Sequence, residues 1–140
     1  MATRPDSNLQ NALIVTRTVE TGQTCTLYGV VKDGNADKEV QPTTDGVGAI
    51  GVITALGPLA GAAGDKVQMA YLAGACIIPV KVGTGDATRG LFAKVVSNGV
   101  TDATPTVSTP AAMDVVGFFT QDGVAGDIVG MVPAKSWLTE

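Results

Sequence analysis

The chain has 140 residues, 45% of them hydrophobic and only 4% aromatic, with a net charge of −4 and a pI near 4.6. That length suits one compact domain, and the hydrophobic share argues against disorder. The nine Lys and Arg residues form no basic stripe and no apolar run is long enough to cross a bilayer, which argues against nucleic acid and membrane as partners.

The first residues, Met1-Ala2-Thr3-Arg4-Pro5-Asp6-Ser7, are polar and lack the apolar centre of a signal peptide, as expected of a chain made and folded in a cytoplasm. Residues 1–16 read as an N-terminal arm of the kind that is disordered alone or ordered by a partner. Beyond it, helix-period patterns are scarce. Short β-branched runs bounded by Gly, Asp, Asn or Pro predict strands at Ala12 to Val19, Thr24 to Val31, Gly48 to Leu56 and Asp65 to Leu72. The same pattern continues at Ala75 to Val82, Leu91 to Ser97, Asp114 to Thr120 and Asp127 to Val132. Turn signals separate them: Asp33-Gly34-Asn35, Asp45-Gly46, Gly83-Thr84-Gly85, Asn98-Gly99 and Asp122-Gly123. Leu56 to Gly64 carries three glycines and a proline, so it is a loop rather than a helix. Thr101 to Pro110 is an extended connection, suited to a sheet edge where proline is tolerated. With so few aromatics, Val, Ile, Leu, Ala and Met must fill the core.

Laid together, the halves repeat. Thr21-Gly22-Gln23-Thr24 followed by Leu27-Tyr28-Gly29-Val30 matches Thr84-Gly85-Asp86-Ala87 followed by Leu91-Phe92-Ala93-Lys94. Gly51-Val52-Ile53-Thr54 matches Gly117-Phe118-Phe119-Thr120. Each half closes on the pattern A-G-D-x-V-x-M, as Ala63-Gly64-Asp65-Lys66-Val67-Gln68-Met69 and Ala125-Gly126-Asp127-Ile128-Val129-Gly130-Met131. The glycine frees φ for a turn, the aspartate bonds to the backbone of that turn, and the Val and Met then share one face. The expected architecture is all-β: a small barrel or sandwich with an internal pseudo-two-fold repeat and an extended N-terminal arm. Residues 17–140 form a single β domain of two similar halves, about 17–80 and 81–140. Val52, Val67, Met69, Val129 and Met131 are the expected core.

No residue pattern points to catalysis, a cofactor or a metal. Histidine is absent, which removes the common general base and the usual triad. Asp65, Asp86 and Asp127 each follow a glycine and read as turn-bonding residues rather than acids. Gly83-Thr84-Gly85-Asp86 lacks the Gly-Lys-Ser/Thr and the helix of a phosphate cradle. Cys25 and Cys76 read as buried free thiols. Trp137, the single tryptophan, either closes the barrel or anchors an interface.

Between Thr18 and Val132, several stretches together resemble the small capsid decoration, or cement, proteins of tailed bacteriophages. They are Gly22 with Leu27-Tyr28-Gly29-Val30-Val31, Ala49-Ile50-Gly51-Val52-Ile53, Ala63 to Met69, and Val116-Gly117-Phe118-Phe119 ahead of Ala125 to Val129. The likeness lies in spacing and glycines rather than in one diagnostic motif. It implies a non-enzymatic β-barrel, a homotrimer, that sits on the outer surface of the virion capsid and bridges major capsid proteins. The candidate capsid or trimer contacts are then Arg4, Pro5, Leu9 and Leu13 of the arm, and Trp137. Two other structural readings share the composition: a tail-tube or fibre-base component of the virion, and a small glycan-binding β domain. A biotinyl- or lipoyl-type carrier needs a modifiable lysine at a hairpin tip, where Ala112-Met113-Asp114 offers an aspartate instead.

Overall fold

The structure, a computed structural model, describes residues 4–44, 48–103 and 113–138. In chain order the strands are β1 (Ile14–Val19), β2 (Val30–Asp33), β3 (Glu39–Pro42), β4 (Ala49–Ala55), β5 (Lys66–Tyr71) and β6 (Ile78–Lys81). They continue with β7 (Asp86–Ala87), β8 (Phe92–Val96), β9 (Gly99–Asp102), β10 (Met113–Phe119), β11 (Gly123–Val124) and β12 (Ile128–Leu138). The fold is all-β, as the sequence predicts. In β5 the reason is visible residue by residue. Lys66 and Gln68 are exposed while Val67 and Met69 are buried, the period of two that only a strand satisfies.

Strands β1 to β5 close into a barrel in the order β1-β3-β2-β4-β5. The second sheet runs β6-β12-β10-β8-β9. Its end strands meet at a parallel bridge, Val82 to Val100, just past the end of β6. Equating β1 with β6, β2 with β8, β3 with β9, β4 with β10 and β5 with β12 turns one order into the other. The match holds at the level of register. Val15 faces Met69 and Arg17 faces Val67, as Ile78 faces Met131 and Val80 faces Val129. Val30 faces Val52 and Val31 faces Gly51, as Phe92 faces Phe118 and Ala93 faces Gly117. Val19 bridges Val40 in parallel, as Val82 bridges Val100.

The closing motif makes the same corner twice. Gly64 N donates to Val19 O and Val19 N to Asp65 O; Gly126 N donates to Val82 O and Val82 N to Asp127 O. Both glycines sit at positive φ, +86° and +92°, where a side chain would be strained. The methionine of each motif then lies over a glycine of the next strand. A Cβ on Gly51 would stand 2.6 Å from Met69 Cγ, and one on Gly117 2.9 Å from Met131 Cγ.

Several sequence expectations are corrected. The strand predicted from Thr24 to Val31 begins only at Val30, because Thr26 to Tyr28 form a turn in which Tyr28 has φ +63°. The structural counterpart of Tyr28 is Gly90, at φ +87°, so the repeat matches Val30 with Phe92, two residues away from the sequence pairing. Strands β3 and β9 were not predicted. Glu39-Val40-Gln41-Pro42 carries a single apolar core residue, and β9 follows the predicted Asn98-Gly99 turn directly. Strand β6 opens the second sheet, so the halves divide between Tyr71 and Ile78 and not at residue 80. Strand β1 begins at Ile14, ending the arm at residue 13. Residues 104–112, with most of the Thr-rich connection, and the Asp45-Gly46 turn lie outside the described residues.

Two apolar clusters hold the molecule. One fills the first barrel: Val19, Cys25, Val31, Val40, Ile53, Val67 and Met69. The other fills the second half with Ile78, Val80, Val100, Phe119, Val129 and Met131, and it also takes in Val30, Val52, Ala70 and Leu72 from the outer face of the first. All five core residues expected from sequence are buried. The second cluster therefore joins the two halves.

Candidate functional site

The acidic turn residues are largely occupied by structure. Asp65 is buried, and its carboxylate accepts N–H bonds from Gly57 (2.9 Å), Leu59 (3.1 Å) and Gly61 (2.7 Å). Burial pushes its pKa up, but the backbone donors of Gly61, Leu59, Gly57 and Lys66 outweigh that and hold it below the ordinary value. Asp127 Oδ2 accepts from Val124 N at 2.9 Å. Asp86 differs from the other two. It lies exposed in β7, and there the backbone carbonyl accepts a bond, from Thr101 Oγ1. An open depression of about 460 Å³ lies over β7 and β11, lined by Asp86, Ala87, Thr88, Asp122, Gly123 and Val124. Its polar groups are partly used up locally: Asp122 Oδ1 accepts from Arg89 N, and Thr88 donates from N and Oγ1 to Asp102. Among the described residues, no group of three or more His, Cys, Asp or Glu is placed to hold a metal.

Both cysteines are buried and free, as the sequence suggests. Burial pushes the Cys25 thiol up to about 11 and raises that of Cys76. A thiol so raised is a poor nucleophile at neutral pH.

The arm lies on its own domain. Asn8 and Ile77 exchange backbone bonds of 2.9 Å in each direction. Gln121 works as a clasp: Oε1 accepts from Asp6 N (2.6 Å) and Gly130 N (2.9 Å), and Nε2 donates to Arg4 O (3.3 Å). Thr120 Oγ1 donates to Asp6 Oδ2 at 2.8 Å. Leu9 and Ala12 pack against the second cluster. From Arg4 onward, an arm expected to be free or ordered by a partner is thus held by intramolecular bonds. Of the candidate contacts, Arg4 and Leu13 are exposed, while Pro5 and Leu9 are half-buried. The backbone of Trp137 lies in β12 opposite Asp114. Its side chain lies outside the described residues, as does Ala112 of the carrier-like tip.

The structure brings forward Phe92, Phe118 and Ile14 as exposed apolar residues, beside Leu13, which was already a candidate contact. Phe92 and Phe118 form a cross-strand pair on β8 and β10 and are 52% and 37% exposed, with Leu91 exposed beside them. Leu13 and Ile14, where the chain enters β1, are 61% and 38% exposed. Burying a side chain of this size contributes about 1.5–3 kcal/mol. Paired apolar residues left in water on a strand face therefore mark a surface that gains by being covered. A signal for this existed in the sequence. Phe118 and Phe119 are consecutive in a strand, so they point to opposite faces and one must leave the core. Phe119 is buried and Phe118 is the outward one.

Compared with protein-family models and with curated proteins, the chain matches none.

Proposed function

We propose that this chain is a structural capsid decoration protein, non-catalytic, that binds the outer surface of a phage head as a homotrimer and bridges major capsid proteins. One observation carries the reading. A doubly built β frame, tied by the buried Asp65 carboxylate and a clasped arm, presents paired apolar side chains outward on its strands. A rigid frame with sticky faces is suited to holding other subunits in place, and a trimer engaging several shell subunits together gains avidity. The sequence resemblance supplies the identity of the shell.

The test is binding to expanded, undecorated heads assembled from the major capsid protein of the same genome. Saturable, stoichiometric attachment that raises the temperature at which the heads disrupt is the expected result. A failure to bind at saturating protein removes the cement reading and leaves a tail-tube or fibre-base role to be tested next.

A further inference from the structure

Strand β1 has one backbone edge that is only half used. Its odd-numbered residues turn their N–H and C=O groups to β5: Tyr71 N donates to Leu13 O, and Val19 N donates to Asp65 O. Its even-numbered residues turn the other way. There Thr18 N reaches Lys38 O at 2.9 Å, but β3 pairs with β1 only at Thr18 and Val19. No strand runs beside Ile14 and Thr16, both exposed, and Ile14 N, Ile14 O and Thr16 N have no partner among the described residues.

The duplicate strand β6 shows the same edge closed. Val15 and Ile78 are equivalent, each facing a motif methionine, so Ile14, Thr16 and Thr18 correspond to Ile77, Pro79 and Lys81. Ile77 exchanges both bonds with Asn8 of the arm, in antiparallel sense. Pro79 has no N–H to leave open. Lys81 N donates to Tyr28 O at 2.9 Å. An extended antiparallel segment is therefore what this kind of edge takes. The chain's own arm is spent at Ile77, where Gln121 clasps it, and the counterpart of Gln121 in the first half is Ala55.

Arg17 defines what fits the open edge. Its counterpart in the second half is the apolar Val80. The half-buried guanidinium donates from Nη1 to Thr16 O at 2.9 Å and from Nη2 to Tyr71 Oη at 2.7 Å, and among the described residues no carboxylate pairs with it. It thus lies over the only edge carbonyl of this stretch that is in use. A strand that displaced it without replacing its bond would leave a cation short of an acceptor, whereas a carboxylate would draw it off Thr16 O and free that carbonyl.

We propose that β1 is completed by strand addition. An extended segment of another protein lies antiparallel along Ile14 to Thr16, with an apolar side chain beside Ile14 and, three residues earlier, an acidic one on Arg17. The seat goes beyond the capsid reading and does not depend on it: a chain that fails to bind capsids can still take the segment, and failure of the segment leaves the cement reading standing.

The test is an NMR titration of the full chain with the capped peptide acetyl-Thr-Glu-Thr-Val-Val-Thr-amide at millimolar concentration. The Ile14 and Thr16 amides are expected to exchange fast in the free protein, then to shift downfield and slow with peptide. Gln in place of Glu should weaken binding about three- to tenfold. Two variants borrow residues that the duplicate already accommodates. Arg17→Val should bind the Glu and Gln peptides alike, and Thr16→Pro should bind neither. If Thr16→Pro fails to fold, the native protein with a peptide N-methylated at its third and fifth residues, which face β1, should show no shift. Absence of binding overturns the proposal, as does equal affinity of the native protein for the Glu and Gln peptides. Slow exchange of both amides in dilute free protein overturns it too, because the edge is then closed within the chain. Protection that grows with protein concentration and resists excess peptide makes a second copy the occupant, and likewise overturns it.

Discussion

Asp65 concentrates much of the first half's local order in one carboxylate. Three backbone N–H groups from Gly57 to Gly61 converge on it, and they belong to a loop with no strand partners of its own for most of its length. Removing the charge leaves buried donors facing a weaker acceptor. Because the folded pKa lies below the ordinary value of 3.8, the ionised form stabilises the fold at pH above that value, and the contribution is lost as the pH falls through the folded value. Asp65→Asn is therefore expected to melt at lower temperature than the native protein at pH 7. The gap should narrow only as the pH falls below 3.8 and through the lowered folded value, beneath which both carry a neutral side chain. Melting curves followed by circular dichroism check this; parallel loss of stability in the two proteins would rule the carboxylate out as the source.

At the scale of strands, Gly51 and Gly117 each leave room for the methionine of the neighbouring strand. Gly117 lies opposite Pro133, and a Cβ there would overlap the Val132 carbonyl oxygen and crowd Met131 Cγ. The carbonyl belongs to the backbone of β12 and has no rotamer with which to retreat. The register of β10 against β12 also shifts between Val115 and Gly117, placing a bulge beside this contact. Gly117→Ala is expected to destabilise the fold by about 1–3 kcal/mol, the usual cost of overpacking, read as a lower urea midpoint with an unchanged slope. Since the obstruction is backbone, adding Met131→Ala should fail to restore the midpoint and should cost a further increment for the lost core volume. Recovery in the double variant would assign the clash to the methionine.

Across the whole molecule, the cluster that joins the two halves makes them one cooperative unit. Val30, Val52 and Ala70 belong by sequence to the first barrel and by packing to the second half. The arm adds a tie in the other direction, since residues 4–8 lie on the strands and turns of the second half. Calorimetry of the full chain should show a single transition with matching calorimetric and van't Hoff enthalpies. A fragment ending near Gly74 would expose the Val30–Val52 face and should lack a cooperative transition. Two resolved transitions in the full chain would mean that the halves are independent domains.

The amino-acid order by itself determined the all-β class, the duplication, the core positions Val67, Met69, Val129 and Met131, and the turn role of Asp65 and Asp127. These depend on period-two burial and on corner chemistry, which act over a few residues and repeat visibly. The tertiary structure alone decided three things. It decided that β6 belongs to the second sheet, that the arm lies on its own chain, and that Val30 and Val52 are covered while Phe92 and Phe118 are not. Nothing local distinguishes those two pairs: each is an apolar cross-strand pair on the same face of the same unit. What separates them is whether another half of the duplicated frame lies against that face, and that is set by how the whole chain packs.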